Sequence, residues 1–240
     1  MLNFVELGNE FGELFYRFFY LFYIISLFRI KFKTRKNDEE NFDFFCDDFF
    51  GCVGNAADTK VSQGFNMSDK KILIAYFSRA DENYQVGYIE KGNTEILAEF
   101  LAEFSGGKLF KIETLTPYAK GYQEAIDYAK SEQKRSARPE IKPFGDDIAN
   151  YDAIFLGFPT WWGDLPMGVF TFLESVNLQG KPIFVFNTHE GSGLDRTVNS
   201  VEKTTKNKVL GYFSIRGAVA QNEREKAKKE LKAWFDKINN

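Results

Sequence analysis

Ala153-Ile154-Phe155-Leu156-Gly157-Phe158-Pro159-Thr160-Trp161-Trp162-Gly163-Asp164-Leu165-Pro166 is the stretch on which the fold turns. Its first six residues are apolar almost without interruption. That is how a parallel strand buried on both faces reads, and Pro159 stops the run. Thr160 then opens the loop at the strand's carboxyl end, the edge where open α/β sheets bind ligands. Two adjacent indoles in an extended loop cannot both point inward, so at least one is expected at the surface or against a ligand. Packing of the pair on a neighbouring helix is the competing expectation. A flat, ring-bearing ligand is the one the loop favours.

On either side of this strand the pattern alternates between strand and helix. Residues 71–77 (KILIAYF) read as a buried strand, and 94–105 carry Ile96, Leu97, Phe100, Leu101 and Phe104 at helical spacing before Gly106-Gly107 ends the helix. Residues 108–113 alternate like an edge strand, and 118–134 form a polar helix with Tyr122, Ile126 and Ala129 on one face. Downstream, helices are expected at 169–175, 194–205 and 221–238, with strands at 182–187 and 208–215. The last helix offers Ala227, Leu231, Trp234, Phe235 and Ile238 for burial. Five strands joined by helices predict an α/β fold: a parallel sheet with helices on both faces, in three layers.

The 240 residues are not compositionally uniform. Residues 1–66 hold 14 of the 27 phenylalanines, with 7 basic and 10 acidic residues, whereas the 24 basic and 24 acidic residues from Met67 onward cancel. A neutral domain argues against a nucleic-acid footprint. Residues 1–66 are expected to be a leader outside the folded domain, because Met67-Ser68-Asp69-Lys70-Lys71 reads as a start just ahead of the first strand. Two other readings of the leader are a weak membrane anchor and an interaction segment. Residues 14–28 are its apolar stretch, but Arg17 interrupts it and leaves 11 uncharged residues from Phe18 to Phe28, where a spanning helix wants about 20. The cations at Arg29, Lys31, Lys33, Arg35 and Lys36 would keep the downstream domain in the cytoplasm, the expected compartment. Both cysteines, Cys46 and Cys52, lie in the leader, so residues 67–240 have no thiolate chemistry, and the single His189 completes no metal-ligand set.

Three strand-end loops carry the chemistry. After the first strand come Ser78-Arg79, a polar insertion, and then Gly92-Asn93-Thr94 at the start of a helix. Hydroxyls and unpaired amides at a helix N-terminus attract an anion, and Arg79 is a candidate bidentate phosphate contact. After the third strand come Pro159, Thr160, Trp161, Trp162 and Gly163. After the fourth come His189, Glu190, Gly191, Ser192 and Gly193, whose glycines let backbone approach a ligand. His189 is a weak candidate for acid–base work, since no residue in the sequence identifies what would orient it. A phosphate joined to a planar heterocycle satisfies all three loops together, and flavin mononucleotide (FMN) is such a molecule.

Tyr76-Phe77-Ser78-Arg79, Trp161-Trp162-Gly163-Asp164-Leu165-Pro166-Met167 and Thr188-His189-Glu190-Gly191-Ser192-Gly193-Leu194 together resemble the flavodoxin-like family over nearly all of residues 71–240. The resemblance implies strand order 2-1-3-4-5 and FMN between strands one and three. Ser78, Arg79, Asn93 and Thr94 would then hold the phosphate, with Pro159 to Gly163 on one side of the ring and His189 to Gly193 on the other. Two features depart from the family. Residues 80–91 are inserted into what is usually a compact phosphate loop, and the domain lacks the strong acidity of small electron carriers. The expected function is electron transfer through non-covalent FMN, to a redox protein or a small acceptor. An NAD(P)H-dependent reductase acting on a quinone is the alternative, and a non-catalytic protein-binding domain the reading from another class.

Overall fold

A computed structural model describes residues 56–239. The apolar stretch 14–28, the cations at 29–36 and both cysteines lie outside the described residues. Among those described, no helix is long and apolar enough to cross a membrane.

Among the described residues, eight strands and six helices run in order: β1 (Asp58–Val61), β2 (Ile72–Tyr76), β3 (Asp81–Asn83), β4 (Gly87–Ile89), α1 (Asn93–Ser105), β5 (Lys108–Lys111) and α2 (Tyr122–Lys134). After a 3-10 turn at Ile148–Asn150 come β6 (Ala153–Pro159), α3 (Met167–Ser175), β7 (Ile183–His189), α4 (Thr197–Thr205), β8 (Val209–Arg216), α5 (Gly217–Asn222) and α6 (Arg224–Asn239). The main sheet has the order β1-β8-β7-β6-β2-β5. Its five parallel strands stand in the expected 2-1-3-4-5 arrangement, counting from β2.

Side chains on successive residues of a strand point to opposite faces, and each face here has its own core. Ile72, Ile74, Phe155, Phe184 and Phe186 meet Leu97, Leu101, Leu231 and Trp234 from α1 and α6. Leu73, Ala75, Ile154, Leu156 and Val185 meet Val169, Phe172 and Val201 from α3 and α4. Phe155 is wholly buried, with ring centroids 5.2 Å from Phe184 and 5.8 Å from Trp234. Burying such a side chain contributes about 1.5–3 kcal/mol. The continuous apolar run at 153–158 is the sequence signature of this two-faced burial.

The sheet has a sixth strand that the sequence reading assigned to the leader. β1 pairs antiparallel with β8, Asp58 facing Ser214 and Val61 facing Gly211. The chain then straps across α6: the Phe65 amide donates to the Ile238 carbonyl at 2.6 Å, and the Met67 amide to Asn239 Oδ1 at 2.8 Å. Trp234 Nε1 donates back to the Lys60 carbonyl at 3.1 Å, and Phe65 lies 6.2 Å from Phe184. The folded part therefore begins ahead of Met67. Asp58-Thr59-Lys60-Val61 is short and half-exposed, so it carries no apolar run that would announce a strand.

Smaller differences have local causes. α2 starts at Tyr122 rather than 118 because Gly121 is its N-cap. The expected helix at 221–238 is two helices, broken at Glu223, whose extended φ of −121° leaves the helical range. The insertion 80–91 is a β-hairpin, β3 against β4, turning through Gln85 and Gly87 at φ of 67° each.

Candidate functional site

The carboxyl ends of β2, β6 and β7 open into a cleft of about 240 Å³. The strand-end loops line it with Pro159, Thr160, Trp161, Trp162, Thr188, His189 and Glu190, joined by Asn93 and Gly217. The inserted hairpin and α2 contribute Asn83, Tyr84, Tyr122, Ile126 and Ala129.

The anion end is built around the start of α1. Ser78 leaves β2 and its Oγ accepts from the Glu95 amide at 3.1 Å, capping the helix from another loop. Gly92, the N-cap residue, makes no side-chain cap bond, and the Asn93 and Thr94 amides donate to no acceptor among the described residues. Gly92 has to be glycine: a Cβ there would sit 2.2 Å from Ser78 Oγ. Thr94 is buried, its Oγ1 2.7 Å from Thr188 Oγ1, so it locks α1 to the end of β7.

Arg79 departs from the expected phosphate set. Its guanidinium donates to the Glu82 carbonyl and to the carbonyls of Ala119 at 2.6 Å and Lys120 at 2.7 Å. Burial pushes its pKa below the ordinary arginine value. Its two Nη groups tie the inserted hairpin to the segment ahead of α2, its Nε is a buried donor with no partner among the described residues, and the side chain does not line the cleft.

Hydrogen bonds set the other two loops. The Thr160 amide donates to the Thr188 carbonyl at 2.9 Å, and Thr160 Oγ1 donates to the Gly193 carbonyl at 2.7 Å. Asn187, wholly buried, donates to Phe158 O at 3.0 Å and to Thr160 Oγ1 at 2.9 Å while accepting from Ser214 Oγ. Trp161 and Asp164 exchange backbone bonds around a two-residue turn, with Trp162 at φ of 51° and Gly163 at φ of 73°, the pattern of a type I′ turn. A tryptophan in the left-handed region is uncommon. It is held there by its Nε1 donating to Ile126 O at 2.9 Å, by Gln133 and Arg196 donating to its carbonyl, and by Lys130 Nζ 4.3 Å from the ring centroid.

Both indoles thus line the cleft by different means. Trp161 is half-buried and set edge-on to Phe77 (5.2 Å) and Tyr118 (5.1 Å). Trp162 spreads over α2 and is 42% exposed. The Tyr118 hydroxyl donates to the buried Glu132, and burial raises its pKa well above the phenol range.

His189 lines the cleft, its Nδ1 accepting from the Gly191 amide at 3.0 Å. Burial and the neighbouring Arg216 charge lower its pKa, so it is a neutral imidazole near pH 7 with Nε2–H as its donor. Glu190 Oε1 accepts from the Ala218 amide at 2.9 Å at the start of α5. Burial pushes its carboxyl up to about 7 against that bond and the Arg216 charge. Glu190 Oε2 and Asn93 Oδ1 are buried acceptors with no partner. At Gly217 a Cβ would stand 2.3 Å from Asn93 Nδ2 and 2.7 Å from Glu190 Oε1, so only glycine leaves those side chains room. Gly191 and Ser192 are exposed and, with Gly193 and Gly163, shape the loops rather than the cleft wall.

The sequence reading missed Asn83, Tyr84, Thr188 and Gly217. It found Tyr122, Ile126 and Ala129 as a helix face, but the cleft, not the core, is what that face borders. Three residues spaced 122, 126, 129 on an otherwise polar helix were the available signal. Among the described residues no cluster of His, Cys, Asp or Glu could hold a metal ion.

The flavodoxin family model matches residues 71–238. Among solved structures, a candidate flavoprotein from Bacteroides eggerthii DSM 20697 is 28% identical at a TM-score of 0.56, covering 72% of this chain and 99% of its own. A candidate flavoprotein from Bacteroides uniformis ATCC 8492 is 24% identical at 0.53, covering 70% and 98%. A flavoprotein from Lactobacillus acidophilus NCFM, in complex with FMN, is 20% identical at 0.48, covering 65% and 97%. The family match spans well over half of the sequence and contains every parallel strand and every cleft-lining residue, and the chain belongs to the flavodoxin family.

Proposed function

We propose that the chain is a redox protein that binds FMN non-covalently in this cleft and passes electrons through it. One observation carries the reading: Asn93 at the start of α1, two indoles, and Glu190, which with Asn93 carries an orphaned buried acceptor, all line a single cleft. Each suits a different part of FMN. The Asn93 and Thr94 amides at a helix N-terminus suit a phosphate. The partnerless oxygens of Asn93 and Glu190 would accept from ribityl hydroxyls, and Trp161 and Trp162 offer flat surface to the ring system. Bound FMN supplies the redox chemistry, since no side chain in the cleft can itself cycle electrons at neutral pH.

The chain's own groups position and tune. Thr94 and Thr188 fix the anion end, Thr160 and Asn187 fix the two loops, and His189 brings a neutral N–H donor. Among the described residues no lysine or arginine lines the cleft. A negative charge on the reduced ring therefore has no cation in direct contact, Arg216 acting only from behind His189 and Glu190, and its electron-rich face meets electron-rich indoles. The midpoint potential of the bound flavin is expected below that of free FMN, as a spectroelectrochemical titration would show.

The same absence bears on the electron donor. NAD(P)H carries a pyrophosphate and has no basic side chain in this cleft to meet it, so direct NAD(P)H oxidation is expected to be slow. The full chain, incubated with FMN and freed of excess by gel filtration, should be yellow with flavin absorption. A colourless product would overturn the proposal.

A further inference from the structure

Glu190 directly follows β7, and its two carboxyl oxygens have different surroundings. Oε1 accepts from the Ala218 amide at 2.9 Å, which ties the side chain to the start of α5. Oε2 is buried without a partner among the described residues, although Glu190 lines the cleft. Beside it lies Asn93, the first residue of α1, whose Oδ1 is likewise a buried acceptor that nothing meets. Gly217 touches both side chains: a Cβ there would stand 2.3 Å from Asn93 Nδ2 and 2.7 Å from Glu190 Oε1, so the amide and the carboxyl are near neighbours. Neighbouring buried acceptors without a donor are costly, and more so when one of them is an ionised carboxylate. A proton on Glu190 relieves both conditions, because a carboxylic acid gains an O–H donor and keeps acceptor capacity.

The groups around Glu190 bring it close to this change at neutral pH. Arg216, at the end of β8, and the Ala218 amide favour the carboxylate, but burial outweighs them and pushes the carboxyl up to about 7. His189 of β7 is neutral there, and Tyr122 of α2 is a phenol whose pKa burial raises. From α1 comes only the uncharged Asn93. Asp58 of β1 acts on His189. An anion entering the cleft disturbs this balance in one direction. FMN would bring a phosphate to the start of α1, and among the described residues no lysine or arginine lines the cleft to offset a carboxylate nearby. Added negative charge and the water a ligand displaces both favour the neutral acid.

We propose that Glu190 enters the flavin complex as a carboxylic acid, so that binding takes a proton from solvent and gives the cleft an O–H donor toward the ligand. This rests on the FMN reading. The O–H bond forms at a Glu190 carboxyl oxygen and breaks at a water or buffer acid. No electron moves, and the proton returns to solvent on release. In the free chain the carboxyl titrates at about 7 and in the complex higher, so affinity is full below about 7 and lost as pH rises above it.

The test titrates the flavin-free full chain with FMN at pH 6.5 and 8.5, followed by flavin fluorescence. The wild-type Kd should rise about tenfold between the two, whereas Glu190→Gln, uncharged at both, should change by about twofold or less. At pH 8.5 the variant should bind FMN more tightly than the wild type, a gain that no folding defect produces. In weak buffer at pH 7.5, an indicator dye should show the wild type taking up roughly half a proton or more per FMN bound, and the variant almost none. FMN binding that ignores pH, equal pH dependence in the variant, or no proton uptake would overturn the proposal and leave the FMN reading standing. No FMN binding by either protein at either pH would overturn both.

Discussion

Two residues show how burial decides what an ionisable group does here. Arg79 comes directly after Ser78 and looks made for phosphate, but its Nη donors meet backbone carbonyls of the hairpin and the segment before α2, leaving only a buried Nε without a partner among the described residues. Sequence alone places Arg79 at the right strand end; only the fold shows that residues 119–120 lie within reach of it. Glu190 is the converse, a loop acid that burial keeps protonated up to about pH 7. Its folded pKa lies above the unfolded carboxylate value, so the folded state holds the proton more tightly. Stability should be greatest below about 4.5 and fall as pH rises from there to about 7. Glu190→Gln keeps an acceptor for the Ala218 amide and removes the titration. Urea midpoints between pH 4.5 and 7.5 should slope less in this variant, and an unchanged slope would contradict the assignment. Gly217→Ala would push on Asn93 and Glu190 and should weaken FMN binding tenfold or more, measured by flavin fluorescence.

At the scale of elements, legibility tracked apolar pattern. β2, β6 and β7 are buried on both faces and were readable as runs; α1 was readable as a stripe. β1 was not, because half-exposed Asp58–Val61 draws its stability from β8 and the strap over α6, contacts far away in sequence. Phe65→Ala tests that strap. Phe65 is partly buried against the core, so the loss should be about 1–3 kcal/mol in urea unfolding, smaller than for a fully buried phenylalanine. Phe155→Ala, by contrast, empties a site with no exposure and should cost about 3–5 kcal/mol. Equal losses would mean that residues 56–66 carry as much of the core as the central strand. The hairpin β3–β4 was visible in the sequence only as an insertion. Its place against α2 depends on Arg79 and Glu82, whose partners the sequence does not name.

For the molecule as a whole, the alternation of strands and helices sets a parallel sheet, and the sheet brings loops from residues 78–94, 159–163 and 188–193 to one edge. That convergence made the cleft legible from motifs that start about 30 to 110 residues apart. The part lined by the hairpin and α2 was not legible, because Tyr84 and Tyr122 belong to no shared motif and meet only through the hairpin. In the proposed function the cleft reads both ends of FMN, the phosphate at α1 and the ring at the tryptophans. Titrating the flavin-free full chain with FMN and with riboflavin, monitored by tryptophan emission, separates the two. The account predicts that both quench Trp161 and Trp162 emission, with FMN binding at least 100-fold more tightly through the Asn93 and Thr94 amides. Equal affinity for the two ligands, or no quenching by either, would contradict it.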